Sequence, residues 1–106
     1  MTRFLLTSPG PRPPYYQVAE HLWGADCTFD SDGNSAHPEA TDWTELTVTL
    51  RSNSWEQDLQ EPQRVDVDQV QEGAPLVLAI ESDDENLARR VAEFLQHEAG
   101  GELTAD

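Results

Sequence analysis

Lysine is absent from this chain, cysteine occurs once, and no apolar run is long. Each shortage excludes something. A membrane-spanning helix needs roughly 20 consecutive apolar residues. The opening run Phe4-Leu5-Leu6 is cut off by Ser8-Pro9-Gly10-Pro11, so neither a span nor a secretory signal is expected. A lone Cys27 cannot make an internal disulfide and suits a reducing, cytoplasmic compartment. All positive side-chain charge rests on six arginines, a bias that genome base composition explains as readily as physics does. A glycine-rich phosphate loop is also missing, because Gly100-Gly101 follows a helical pattern instead of preceding one.

What the chain has in excess is carboxylate. Its 21 acidic residues give a formal net charge of -15 over 106 residues. Between Glu20 and Glu85 stand 17 carboxylates opposed only by Arg51 and Arg64, so the middle of the sequence carries the imbalance. A field of that sign attracts basic partners and repels nucleic acid and anionic membrane.

The length fits a single domain, residues 1–106. Only 37% of residues are hydrophobic, but they gather in periodic segments, which argues against global disorder. Residues 3 to 8 read as a strand apolar on both faces, and residues 9 to 14, with four prolines, as a rigid connection. Tyr15, Val18, Ala19 and Leu22 form a helical stripe ending near Gly24. Residues 26 to 30 read as a short strand with Cys27 and Phe29 on one side, and residues 31 to 42 as a loop rich in turn formers. From Trp43 to Arg51, Leu46, Val48 and Leu50 face one way and Glu45, Thr47, Thr49 and Arg51 the other, a period of two. Val65 and Val67 alternate likewise with Arg64, Asp66 and Asp68, and Leu76 to Glu81 read as a central strand. Ser82 to Glu85 has the pattern of a capping box, Ser82 as N-cap and Glu85 reaching back, opening a helix over about 83 to 99 with Leu87, Val91, Phe94 and Leu95 as its buried stripe, and Glu102-Leu103-Thr104 could add an edge strand. This order predicts an α+β, ferredoxin-like sandwich: a mostly antiparallel sheet with two helices on one face and an enlarged middle meander.

No chemistry-bearing constellation completes itself. Asp30, Asp32 and Asn34 stand at the alternate positions of a calcium loop, but its sixth position is Ser35 and its twelfth is Thr41. Cys27, His37, Asp30, Asp32 and Glu39 offer zinc ligand types without paired spacing, and His21 and His97 fall on separate predicted helices. Cys27 reads as a small buried hydrophobe, since no cationic neighbour in sequence would lower its pKa. Acid and base carboxylate pairs would need a cleft that a small sheet-and-helix domain scarcely provides. No catalytic residue, cofactor or metal is therefore expected.

The aromatics beside acid are more informative. Trp43 lies between Asp42 and Glu45, and Trp55 beside Glu56 and Asp58. Such rings either cap the edge of the core or anchor an arginine-rich partner surface through cation–π contact and ion pairing. The anchor reading gives a partner-binding set of Asp42, Trp43, Glu45, Trp55, Glu56, Asp58, Asp66 and Asp68. It describes a non-enzymatic acidic protein that occludes the active site of a basic protein. The alternative is a regulatory or oligomerisation domain of ferredoxin-like type that senses a small ligand and pairs its sheet edges as a homodimer.

With Phe4-Leu5-Leu6 to Tyr15-Tyr16 at one end and Leu76 to Leu103 at the other, and with its size and charge, the chain resembles small acidic bacterial toxin-immunity proteins. That resemblance implies a cytoplasmic protein whose partner is a basic toxin domain.

Overall fold

The alternation of apolar and polar residues decides most of the architecture seen in the computed structural model, which describes residues 2–24, 29–50, 63–70 and 73–105. In chain order the elements are β1 (Thr2–Thr7), α1 (Tyr15–Trp23), β2 (Phe29–Gly33), β3 (Leu46–Leu50), β4 (Arg64–Gln69), β5 (Val77–Ser82), α2 (Glu85–Ala99) and β6 (Glu102–Ala105). The strands form one sheet in the order β2-β3-β4-β5-β1-β6, and every neighbouring pair is antiparallel. The chain is thus α+β, with an open six-stranded sheet and two helices.

Register puts the apolar members of each strand in line. Leu46 is opposite Val67, Val48 opposite Val65, Val67 opposite Ile80, and Leu78 opposite Leu6. All seven are buried. Because successive side chains on a strand point to opposite faces, these residues share one face. The helices cover it, α1 packing on β2 and β3, α2 on β1, β4, β5 and β6, and each on the other. Their buried stripes are Val18, Ala19 and Leu22 on α1 and Leu87, Ala88, Val91, Ala92 and Leu95 on α2. Phe94, expected in the stripe of α2, is only partly buried, with its ring stacked on His21 at a centroid distance of 4.4 Å.

Three expectations give way to the structure. The segment read as a loop from residue 31 begins as strand, because Asp30 to Gly33 pair with β3 from Thr49 to Leu46. Turn-forming side chains are tolerated there because β2 is an edge strand, and Gly33 lies so close to β3 that a Cβ would collide with the Glu45 carbonyl. Asn34 then closes the loop, its Oδ1 accepting from the N–H groups of Thr44 (2.9 Å) and Glu45 (3.0 Å), so β3 starts at Leu46 instead of Trp43.

The cap of α2 is Asp84, whose Oδ1 accepts from Asn86 N (2.9 Å) and Leu87 N (3.3 Å). Ser82, expected in that role, is still in β5 and pairs with Thr2, and its hydroxyl donates to Arg64 O at 2.6 Å. Glu85 pairs forward with Arg89 (2.8 Å) instead of reaching back.

The third correction concerns Trp43. Its ring is 1% exposed in the core, and its Nε1–H donates to Pro13 O at 2.8 Å. Arg12, 8% exposed, donates from Nε to Trp43 O at 2.9 Å, and its N–H reaches Thr41 O. The proline-rich connection and the loop before β3 are thereby locked together. Burial lowers the pKa of the Arg12 guanidinium, with Asp42 acting in the opposite direction.

Candidate functional site

The alternate residues of the strands make the second face of the sheet, and neither helix packs there. Across β2, β3, β4, β5 and β1 the register aligns Asp32, Thr47, Asp66, Glu81 and Arg3 in one row. On one side of it run Asp30, Thr49 and Arg64; on the other run Asp68, Ala79, Leu5 and Thr104. A last row holds Val77, Thr7 and Glu102. Next to Val77, Val70 donates its N–H to Val77 O (2.9 Å) and leaves its side chain 45% exposed.

The electrostatics of this face are worked out among its own residues. Asp66 and Glu81 stand directly opposite each other on neighbouring strands, an arrangement of like charges that costs stability. Arg64 answers Asp66 at 3.1 Å and Arg3 answers Glu81 at 3.2 Å, while the Thr47 hydroxyl donates to Asp66 at 2.7 Å. Both described arginines of the face are therefore engaged within it. Arg89 is paired with Glu85, Arg12 is buried, and Arg90 donates to the carbonyls of His21 and Leu22 at 3.1 Å each, closing the C-terminal end of α1. Every described arginine is thus held by the chain itself, and the carboxylates dominate what solvent sees.

Of the residues singled out in the sequence, the structure brings Glu45, Asp66 and Asp68 together. Glu45 and Asp68 line a hollow of about 180 Å³ with Asp32 and Thr47. A neighbouring hollow of about 230 Å³ is lined by Arg64, Asp66, Glu81, Ser82 and Asp83. Both fall below the roughly 300–1,000 Å³ of a small-molecule site. Asp42 is exposed elsewhere, on the loop beside Arg12, and Trp43 is a core residue and not a surface anchor. Trp55, Glu56 and Asp58 lie outside the described residues, as does Cys27. Sequence reasoning missed Asp32 and Glu81, the one read as an acidic turn and the other as the end of an apolar strand. Only the successive pairing of β2 with β3, β3 with β4 and β4 with β5 shows that they share a row.

The helical side carries a different feature. An open depression of about 840 Å³ is lined by His21, Arg90, Glu93, Phe94, Gln96, His97 and Glu98. The His21 pKa is lowered, by burial first and by Arg90 second, with Glu98 opposing. Among the described residues no group of three or more His, Cys, Asp or Glu side chains could hold a metal ion, and no helix is long and apolar enough to cross a membrane. In comparison with known proteins, the chain matches no family model, no curated protein and no solved structure.

Proposed function

We propose that this chain is a non-enzymatic acidic binding protein, of the immunity or inhibitor type, that neutralises a basic protein by covering its active site in the cytoplasm. The observation that carries this reading is the disposition of charge: a net -15, with each described arginine already committed to an internal partner. Such a surface steers a basic partner toward it and raises the association rate. The finer architecture in this reading is ferredoxin-like with an enlarged meander. Its support is the β5–α2–β6 crossover around β1 and the four-stranded run β2 to β5.

The test begins with identification of the partner by purifying the tagged chain from the cells that make it, followed by titration of the purified partner's activity. Inhibition complete at one chain per partner is expected. Raising salt from about 50 to about 500 mM should slow association far more than it speeds dissociation. A salt-independent association rate would leave the charge a solubility device.

One observation favours a second reading, a ligand-sensing regulatory domain. The depression between the helices has the volume of a small-molecule site and an aromatic floor at Phe94. A thermal shift produced by a metabolite and abolished by Phe94→Ala would support it.

A further inference from the structure

We propose that the helix-free face of the sheet is the docking surface, and that its occupant is a basic protein presenting arginine and lysine side chains around an apolar contact. This rests on the acidic-binder reading and names the surface that performs it.

With α1 and α2 both on one side of the six-stranded sheet, no described helix or strand packs on the other side. Among the described residues that side carries Asp30, Asp32, Asp66, Asp68, Glu81 and Glu102 against Arg3 and Arg64. Threonines such as Thr47 and Thr49 would suffice to keep a solvated face polar, yet Asp66 and Glu81 oppose each other at a cost in stability. Arg64 and Arg3 offset that repulsion within the chain, and a partner's cations would add to the offset on binding.

The face is also not uniformly charged. Half-buried Leu5 and Val77 and the exposed Val70, set around the buried Ala79, form an apolar corner beside Asp68, giving the mixed apolar and charged composition of a protein interface. Charge complementarity decides among occupants. A second copy, a nucleic acid or an anionic membrane would bring like charge to this face. The hollows in it are too small for a metabolite.

The experiment uses the isotope-labelled full chain and a nona-arginine peptide, whose guanidinium groups stand for those of the partner. Amide shifts are mapped during titration at about 50 mM salt, where screening is weak. Saturable shifts should concentrate on Leu5, Thr47, Asp66, Asp68, Ala79 and Glu81. Asp68→Arg and Glu93→Arg change the net charge equally, but Glu93 lies on α2 across the sheet. Asp68→Arg should weaken peptide binding roughly fivefold more than Glu93→Arg does. If either arginine variant loses amide dispersion, Asp68→Asn against Glu93→Gln carries the same comparison.

Shifts centred on the helices, or equal weakening by both variants, would overturn the face while leaving the acidic-binder reading in place. Concentration-dependent shifts of the same amides without peptide would assign the face to a second copy and overturn the proposal. Absence of saturable binding anywhere would remove both readings together.

Discussion

The two faces of one sheet are made by the same strands, residue by alternate residue, and they differ in almost everything else. On the helix side Leu6, Val48, Val65, Val67, Leu78 and Ile80 are buried against α1 and α2. On the other side their immediate neighbours Leu5, Thr47, Asp66, Asp68, Ala79 and Glu81 mix carboxylates with small and apolar groups. Stability is concentrated on the first face and charge on the second, so substitutions on the two should have separable consequences.

The largest effect is expected at Trp43. Truncation to alanine removes a buried ring and orphans the Pro13 carbonyl, and should lower unfolding free energy by about 3–5 kcal/mol in a urea titration. A surface ring would cost almost nothing, so an unchanged midpoint would return Trp43 to the list of anchors. Leu78→Ala on the helix side should cost about 2–5 kcal/mol, whereas Thr49→Ala across the sheet should stay within about 0.5 kcal/mol. Comparable losses at both positions would erase the distinction between the faces.

Asp84→Ala comes next, at about 1 kcal/mol, from loss of the two N–H bonds that its carboxylate accepts. Thermal unfolding of that variant beside Glu85→Ala separates the cap from the surface pair, since Glu85 touches only Arg89 among the described bonds.

The smallest effect concerns pH. A histidine whose pKa lies below 6.5 in the folded chain binds its proton later than in the unfolded chain as pH falls. The unfolded state then holds more protons, so this contribution to stability is present above that value and is lost as pH drops through the window beneath it. His21→Gln should therefore show a shallower fall of Tm than the parent between about pH 7 and about pH 5. Arg90, Glu98 and the stacked Phe94 face His21, and the difference between variant and parent isolates it from the other carboxylates. Parallel pH profiles would show that His21 does not contribute.

Legibility in the sequence followed the range of the forces involved. Period two over Leu46–Leu50 and Arg64–Gln69 and the helical stripe of α2 are local patterns, and they were readable with ends within a few residues. β2 was not, because Asp30, Ser31, Asp32 and Gly33 have the composition of a turn and become strand only through hydrogen bonds with β3. The charge was countable, but which carboxylates share the helix-free face depends on sheet order. Trp43 misleads for a related reason: acidic neighbours in sequence say nothing of Pro13 and Arg12, which enclose it from 30 and 31 residues away.

The place of β1 has a consequence for how the chain is made. Its hydrogen-bonding neighbours are β5 and β6, so Thr2 pairs with Ser82 and Phe4 with Ala105. A ribosome makes Phe4-Leu5-Leu6 before either partner, so this strand cannot enter the sheet until β5 has emerged. Contacts spanning so much of the chain slow folding, because loop closure comes before any reward for pairing. The order β2-β3-β4-β5 can assemble by successive neighbours, giving a meander whose open edge, β5, then takes up β1. Cooperative closure of the helix-covered face thus follows the emergence of β5, set by one strand's position in the sheet.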